Sequence, residues 1–395
     1  MKNYAVICEY NPFHFGHKYQ IDEIKAQGGT VTAVMSGDYC QRGEAAQAGK
    51  YARAKMALAG GADLVLELPF PYSAAGAEKF AFGGVNIISQ LGFVDAISFG
   101  SECGDAELIK NTAKNSLSAE FSEALFENLK LEREKPYGAV YFETYNALFG
   151  GGGVFSGSNN ILGVAYASEI IKNGLPLEIS TVKREGQGYN GGGAGFASAT
   201  SIRKMISENG LSSAEELLPQ GTYNILKEEA VRGSLCEAEK FFPLFASFLR
   251  THSAREIKDF AENDVSLAAR LVNAGAEAHD IAELYSLAST KKYSPAHVRR
   301  ALLFAYFGVT DEMLVSKPAY TVLLAANKKG RELLGIARKN ASIPIITKLA
   351  DYEKYGEDVK KAFEFANRAA AVRALATEKA GSVSDIIKMG PYVER

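Results

Sequence analysis

Residues 9–17 of this chain read Glu9-Tyr10-Asn11-Pro12-Phe13-His14-Phe15-Gly16-His17, and this stretch decides the fold. The short apolar segment before it, residues 4–8, predicts a β-strand, and the residues after His14 predict an α-helix. The Asn11-Pro12 pair predicts the turn between them. His14 and His17 are three positions apart and so share one face of the helix, while Gly16 leaves room for a ligand to approach.

This junction has the features of a phosphate-binding site. The first N–H groups of a helix lack partners within the helix, and the helix dipole places partial positive charge beside them. Two imidazole rings can donate further hydrogen bonds to phosphate oxygens. The alternative is a pair of unrelated surface histidines, but the chain has only five histidines in 395 residues. We therefore predict that this loop binds phosphate.

The first half of the chain alternates between short apolar segments and longer helical ones. Strands are predicted at residues 4–8, 30–34, 63–68, 94–99 and 178–183, with helices such as 50–59 and 79–91 between them. This alternation predicts an α/β fold, a Rossmann-like domain with a parallel sheet. Ligands on such sheets bind beyond the carboxyl ends of the strands, and residues 9–17, 36–44 and 100–102 each follow a strand.

Strands become scarce after about residue 205. Apolar residues recur at helical spacing, and the one late extended piece is predicted at 343–346. We expect two domains, a catalytic domain at 1–208 and a mainly α-helical C-terminal domain at 209–395. The helices are predicted at 214–226, 236–249, 261–274, 278–288, 296–307 and 358–377.

Composition indicates a globular cytoplasmic protein. Apolar residues make up 47% of the chain, and no apolar run is long enough to span a membrane. The first residues lead directly into a strand and do not resemble a signal peptide. A net charge of −2 excludes binding of nucleic acid by bulk positive charge, so any RNA site must be a local patch. The four cysteines lack metal-ligand spacing and are expected to be reduced thiols.

The motif His14-Phe15-Gly16-His17 resembles the H-x-G-H signature of the nucleotidyltransferase superfamily. The longer stretch 9–14 resembles one family in it, the bacterial tRNA-Met cytidine acetate ligases. Further blocks that resemble this family follow in the expected order, at residues 36–44, 63–69, 99–102, 159–163 and 197–203. The chain departs from the family pattern at Ala45 and Ser158, where proline is usual, and at Asn190, where histidine is usual.

The resemblance implies a two-step acylation. Acetate attacks the α-phosphorus of ATP to give acetyl-adenylate and pyrophosphate. The wobble cytidine of elongator tRNA-Met then takes the acetyl group, which yields N4-acetylcytidine and AMP. The implied co-substrate is ATP, accompanied by Mg²⁺, and the implied partners are acetate and elongator tRNA-Met. Neither coenzyme A nor a membrane is expected, and no residues are assigned as metal ligands.

The resemblance also implies the site residues. His14, His17 and Arg203 are the predicted catalytic residues, because they suit the neutralisation of charge on phosphate oxygens. Without the family, Asn159 would be only a helix cap and Arg184 only a surface charge. The predicted ATP-binding residues are Ile7, Cys8, Glu9, Tyr10, Asn11, Pro12, Phe13, His14, Phe15, Gly16, His17, Lys18, Tyr19, Gln20, Gly100, Asn159, Arg184, Ser198 and Thr200.

Three further assignments keep an alternative open. Asp38 and Glu102 could help to position Mg²⁺, although loop carboxylates are mostly solvated. The glycine-rich segment 186–195 could be a flap over the nucleotide or a surface loop without a role. Basic clusters in the C-terminal part are predicted to bind tRNA, with Tyr293 available for base stacking, although a solvated helix face has the same composition. The predicted tRNA-binding residues are Lys291, Lys292, Arg299, Arg300, Lys328, Lys329 and Arg331.

Two other functions are compatible with parts of the sequence. A small-molecule adenylyltransferase of the same superfamily would share the nucleotide residues but would not need the basic C-terminal clusters. A non-catalytic RNA-binding or assembly protein could retain the nucleotide fold, although the near-neutral net charge argues against it.

Overall fold

The computed structural model describes residues 1–184 and 196–394, and in this part of the chain the centre is an eight-stranded sheet. The strands are β1 (Asn3–Cys8), β2 (Thr30–Ser36), β3 (Tyr39–Cys40), β4 (Glu44–Ala45), β5 (Leu64–Leu68), β6 (Ala96–Ser101), β7 (Glu178–Lys183), β8 (Thr321–Ala326), β9 (Ile345–Ile346) and β10 (Tyr392–Val393). The order across the sheet is β10-β8-β5-β2-β1-β6-β7, with β9 beside β8. Strands β3 and β4 form a separate hairpin.

The five strands predicted in the first half are confirmed to within about two residues at their ends. Neighbours among β1, β2, β5, β6 and β7 pair in parallel, which confirms the predicted α/β fold. Their carboxyl ends therefore meet at one edge of the sheet. Strands β2 and β5 are buried along their whole length, which their apolar residues require when helices cover both faces.

Helices cover both faces of the sheet and form most of the second half. No helix within 1–184 or 196–394 is long and apolar enough to cross a membrane. The helices are α1 (Phe15–Ala26), α2 (Lys50–Ala59), α3 (Ala77–Gln90), α4 (Ala106–Ser116), α5 (Ala119–Leu131), α6 (Tyr137–Phe149), α7 (Ser158–Lys172), α8 (Ala199–Asn209), α9 (Gln220–Arg232), α10 (Phe242–Thr251), α11 (Ala254–Ile257), α12 (Val265–Glu277), α13 (Ile281–Ala288), α14 (Pro295–Phe307), α15 (Asp311–Val315), α16 (Lys328–Asn340), α17 (Glu357–Leu375) and α18 (Val383–Lys388).

Three apolar clusters hold these layers together. Val6 belongs to the cluster on one face of the sheet and Ile7 to the cluster on the other, as the alternation of side chains along a strand requires. The third cluster lies among the helices of the second half and includes Leu302 of α14. Tyr39 of β3 and Phe70, which follows β5, pack into this third cluster. The helical part is therefore packed directly against the carboxyl edge of the sheet.

The second half of the chain also returns to the sheet, which the sequence did not indicate. The extended piece predicted at 343–346 is confirmed as β9 at Ile345–Ile346. The expectation that it is the one late strand was wrong, because the fully buried strand β8 lies antiparallel to β5. Its sequence, Thr-Val-Leu-Leu-Ala-Ala, is a short apolar run that fits a buried helix equally well. The division of the chain at residue 208 stays a prediction, and strands β8, β9 and β10 from the second part complete the sheet of the first.

Candidate active site

The loop after β1 fixes the two histidines through backbone hydrogen bonds. His14 is the N-cap of α1, and its Nδ1 accepts the Gly16 N–H at 3.0 Å. The His14 N–H donates in turn to Nδ1 of His17 at 3.2 Å, and the two rings stack with their centroids 3.7 Å apart. Because both Nδ1 atoms accept hydrogen bonds, each neutral ring carries its proton on Nε2. The pair therefore presents two N–H donors.

Burial keeps both rings uncharged. It lowers the pKa of His14 to about 4, and the nearby positive charge of Arg184 acts in the same direction. Burial, His14 and Arg184 together hold the pKa of His17 well below its usual value. Gly16 permits this arrangement, since a Cβ there would lie 2.9 Å from Cε1 of His14. At neutral pH the histidines can donate hydrogen bonds but cannot take up a proton.

A cavity of about 620 Å³ opens at the carboxyl edge of the sheet, beside His17. It reaches the helical part, where residues of α14 and the residue before it form one wall. The cavity brings together these predicted ATP-binding residues: Ile7, Cys8, Glu9, Tyr10, His17, Gln20, Gly100, Asn159 and Arg184.

The remaining predicted residues of the first motif surround the cavity without lining it. His14 lies behind His17 and is only 4% exposed, and Phe13 is fully buried in the core. Lys18 pairs with Asp22 on α1. The other members of this group are Asn11, Pro12, Phe15, Gly16 and Tyr19.

On the opposite wall, Arg184 and Asn159 face one another across the end of β6. Nη1 of Arg184 lies 3.4 Å from Oδ1 of Asn159. Gly100 lies beneath Arg184, where a Cβ would lie 3.3 Å from Cγ of the arginine. Since the Asn159 contact is its one hydrogen bond within the described part of the chain, the guanidinium keeps most of its donors for a ligand.

Glu102 caps a helix. Its Oε2 accepts the Asn160 N–H at 2.8 Å and its Oε1 accepts from Nδ2 of Asn159 at 2.7 Å, at the start of α7. Burial would raise its pKa, but these hydrogen bonds outweigh that effect and hold the pKa of Glu102 below its usual value. Both oxygens accept hydrogen bonds from the start of α7, so Glu102 positions Asn159.

Asp38 is also occupied. It lies in a buried group with Lys50, at 3.6 Å, and with Arg373 of α17, at 4.0 Å. Burial would raise its pKa, but Lys50, Arg373 and Arg53 outweigh it and hold the pKa of Asp38 below its usual value. The carboxylate thus connects α2 to α17. In residues 1–184 and 196–394, no cluster of three or more metal-binding side chains is present.

The second predicted phosphate motif lies at the start of α8. Ser198 is the N-cap, and its Oγ accepts the Ser201 N–H at 3.1 Å, while Thr200 is exposed. Nη1 of Arg203 donates to the Asn11 carbonyl at 2.8 Å, and its Nη2 pairs with Glu44 at 3.1 Å. Arg203 therefore binds the backbone of the histidine loop but does not line the cavity. The predicted flap, residues 186–195, lies outside the described residues.

The predicted tRNA-binding arginines of α14 form ion pairs at the cavity wall. Arg299 pairs with Glu44 at 3.2 Å, and Arg300 pairs with Glu262 at 2.7 Å while lining the cavity. Each guanidinium thus already contacts a carboxylate.

The residues just before α14 differ in exposure and in their contacts with Asp264. Lys291 is exposed, and Lys292 lies 3.9 Å from Asp264. The expectation that Tyr293 is free to stack on a base is wrong. This side chain is 4% exposed, and its hydroxyl donates to Asp264 at 2.7 Å, because it anchors the start of α14 to α12.

The other predicted tRNA cluster lies at the opposite edge of the sheet. Helix α16 begins beside Asp63, which precedes β5, and the antiparallel register pairs Leu64 with Ala326. Lys329 pairs with Glu332 at 2.8 Å, while Lys328 and Arg331 are exposed. This cluster faces away from the cavity edge.

Sequence reasoning missed the segment that closes the cavity against α14. Arg42 is exposed at the cavity and its side chain has no ion-pair partner in the described chain. Gly43 has φ +73°, and a Cβ there would lie 2.6 Å from the Arg300 backbone nitrogen. Glu44 bridges Arg203 and Arg299. The signal was available, because residues 36–44 directly follow a strand, but Asp38 was the one residue of that block to which a possible role was assigned.

The fold and site define a class. A parallel sheet whose first strand leads into an H-x-G-H loop at a helix start, beside a cavity, is the arrangement of a nucleotidyltransferase. The family model described as HIGH Nucleotidyl Transferase matches residues 1–385.

Individual relatives narrow this class. A tRNA(Met) cytidine acetate ligase from Acetivibrio thermocellus is 36% identical over 380 residues, covering 91% of this chain and 91% of that protein. One from Bacillus licheniformis is 36% identical over 372 residues, covering 89% and 88%. The crystal structure of Thermotoga maritima TmcAL bound with α-thio ATP is similar, with a TM-score of 0.91, 29% identity, and coverage of 100% of this chain and 99% of that one. The chain belongs to the tRNA(Met) cytidine acetate ligase family.

Proposed function

We propose that this protein activates acetate with ATP and transfers the acetyl group to the wobble cytidine of elongator tRNA-Met. The observation that carries the proposal is the pair of neutral, stacked histidines beside the cavity at the carboxyl edge of the sheet. The relatives are named tRNA(Met) cytidine acetate ligases, which supports tRNA-Met as the acceptor of the acetyl group. The solved relative with bound α-thio ATP supports ATP as the nucleotide.

In the first step, acetate attacks the α-phosphorus and pyrophosphate leaves. In this proposal the triphosphate lies between His17 and Arg184, which both line the cavity. The hydrogen bond to Nδ1 fixes the His17 ring before ATP arrives, so its Nε2–H stabilises charge on phosphate oxygens without reorganising. Each such donor contributes roughly 2.7–4 kcal/mol to transition-state stabilisation. Arg203 supports the step by holding the Asn11 carbonyl and thereby the loop.

Mg²⁺ fits this site as a companion of the nucleotide. Magnesium commonly keeps several waters and binds one or two carboxylates together with substrate phosphates. Among the described residues, Glu9 is the one carboxylate that lines the cavity. Water molecules and the phosphates of ATP would therefore hold most of the ion. The ion would further neutralise the charge of the phosphates.

In the second step, the N4 amine of the cytidine attacks the acetyl carbonyl and AMP leaves. Activation by ATP makes coenzyme A unnecessary, and a tRNA substrate places the reaction in the cytoplasm. The predicted tRNA residues stay a proposal. Lys291 and Lys292, next to the cavity wall formed by Ser294 and α14, are better placed than the cluster at Lys328.

The proposal is tested by incubating the protein with ATP, isotopically labelled acetate and elongator tRNA-Met, followed by nucleoside mass spectrometry. We expect label in N4-acetylcytidine only when ATP and acetate are both present. A control tRNA lacking the wobble cytidine should stay unlabelled. Formation of acetyl-adenylate without any RNA product would indicate a small-molecule adenylyltransferase instead. The absence of both products would contradict the proposal entirely.

A further inference from the structure

The second step needs a proton acceptor, and this inference rests on the proposed function. When the N4 amine attacks the acetyl carbonyl, its nitrogen must lose a proton before the amide is formed. A base placed within hydrogen-bonding reach of that nitrogen typically contributes 10²- to 10⁴-fold to the rate. The side chains that line the cavity are the protein's candidates for this base.

The histidines cannot accept this proton. The Nδ1 lone pairs of His14 and His17 are both used by backbone N–H groups, and each Nε2 already carries a hydrogen. Burial also lowers the pKa of both rings, which opposes a further proton. Their geometry makes them donors to phosphate and excludes them as bases.

The other titratable groups of the cavity are also unsuitable. Burial raises the pKa values of Cys8, Tyr10 and Tyr166, so these side chains keep their protons at neutral pH. The guanidinium groups of Arg42, Arg184 and Arg300 are permanently charged. Among the described residues, Glu9 is the one carboxylate that lines the cavity, and it is the remaining candidate.

Glu9 has one oxygen fixed and one oxygen available. It follows β1 directly, and its Oε1 accepts the backbone N–H of Gln41 at 2.7 Å. Its own carbonyl accepts from Nη1 of the buried Arg53 at 2.6 Å, which fixes the backbone at the same point. Within residues 1–184 and 196–394, Oε2 accepts no hydrogen bond. A carboxylate held in this way can bond to a ligand group without giving up its anchor.

We propose that Glu9 is the catalytic base of acetyl transfer. As the bond between N4 and the acetyl carbon forms, Oε2 of Glu9 takes the proton that N4 loses. The bond between the acetyl carbon and the phosphate oxygen breaks, and AMP leaves with that electron pair. Step one creates no such proton, so the role of Glu9 as a base is confined to step two.

The groups around Glu9 act on its pKa in both directions. Burial raises its pKa, while the Gln41 N–H, Arg203 and Arg42 lower it and Glu44 raises it. Arg53, Cys8, Cys40 and Tyr166 are its other titratable neighbours. Transfer should therefore slow as the pH falls through the raised pKa of Glu9.

The test separates the two steps. Glu9→Gln keeps the shape of the side chain and an oxygen that can accept from Gln41. Acetyl-adenylate formation is measured as acetate-dependent pyrophosphate exchange without tRNA. Transfer is measured in a single turnover with pre-formed acetyl-adenylate and tRNA. We expect transfer by the variant to fall roughly 10²- to 10⁴-fold, and to fall by a much larger factor than exchange.

Controls make each outcome decisive. Glu178→Gln makes the same substitution at an exposed residue at the amino end of β7 and should change neither step. Glu9→Asp retains a carboxylate and should transfer better than Glu9→Gln. Unchanged transfer by Glu9→Gln would overturn the proposal, as would equal loss of both steps, which would assign Glu9 to ATP or Mg²⁺. If the original protein performs neither step, the proposed function fails first.

Discussion

Two strand-to-helix junctions have the same local design and opposite surroundings. At the start of α1, His14 accepts from the Gly16 N–H at 3.0 Å, and at the start of α16, Asn327 accepts from the Gly330 N–H at 2.9 Å. Gly330 packs directly on the Asp63 backbone, and Asn327 donates to the Asp63 carboxylate at 3.1 Å. The junction at α1 instead opens on a cavity of about 620 Å³.

The two junctions differ because the strands that precede them run in opposite directions. Strand β1 runs parallel to β2 and β6, so its carboxyl end reaches the edge where ligands bind. Strand β8 runs antiparallel to β5, so its carboxyl end reaches the other edge, where protein atoms occupy the helix start. Capping residues alone thus predict a helix start, and the sheet decides whether that start is open to a ligand.

The largest expected effect is at the open junction. His17→Ala should lower acetate-dependent pyrophosphate exchange roughly 10²- to 10³-fold, because it removes an N–H donor to the transition state. Exchange by the purified variant is compared with the original protein at saturating ATP, and circular dichroism checks its fold. An exchange rate within threefold of the original would remove His17 from the catalytic residues.

The next effect concerns the cation across the cavity. Arg184→Ala should weaken ATP binding by about 1.5–3 kcal/mol, since the variant cannot donate a charged hydrogen bond to phosphate. Arg338→Ala, on the exposed face of α16, is the matched control and should leave ATP binding unchanged. Calorimetric titration with ATP measures both. If the Arg184 variant lost tRNA affinity and kept its ATP affinity, the residue would belong to the RNA site.

The basic clusters provide a direct contrast between the two edges. Reversing the charge of Lys291 and Lys292 should reduce tRNA affinity and flatten its salt dependence, by about 0.7–0.9 in log–log slope for each phosphate that the variant no longer binds. Reversing Lys328, Lys329 and Arg331 should have the smaller effect, because they lie at the edge away from the cavity. Filter binding at several salt concentrations measures both sets. A larger loss of affinity from the second set would place the RNA across the amino edge.

Sequence patterns sufficed for the parts of the site that are local. The histidine loop follows from a strand, a turn and a helix start within residues 4–17, and the five strands of the first half follow from apolar runs. The parts that failed depend on contacts distant in sequence. Tyr293 is buried because Asp264 accepts its hydroxyl, and the short run of β8 becomes a strand only because β5 is there to pair with it.

A smaller effect is the pH dependence of the unfolding free energy, to which His14 at the start of α1 contributes. Below the unfolded-state pKa of about 6.5, the unfolded chain binds a proton that buried His14, with its pKa lowered to about 4, does not bind. The free energy of unfolding should therefore fall as pH drops from 6.5 towards 4, by about 1.4 kcal/mol per pH unit from this group. His14→Asn, which can still cap the helix, should show a shallower loss of stability in denaturant titrations at pH 7, 6 and 5. Equal slopes for the two proteins would mean that His14 takes up its proton normally.

The smallest effect is expected at the closed junction. Asn327→Ala removes a helix cap and should cost about 1 kcal/mol of unfolding free energy. Asn327→Ser keeps an acceptor for the Gly330 N–H and should lose less. Neither variant should change pyrophosphate exchange, because α16 begins at the edge of the sheet away from the cavity. Denaturant titration and exchange assays on the same preparations check both statements. A variant that kept its stability but lost exchange would show that this helix start takes part in catalysis, and the contrast between the two junctions would no longer hold.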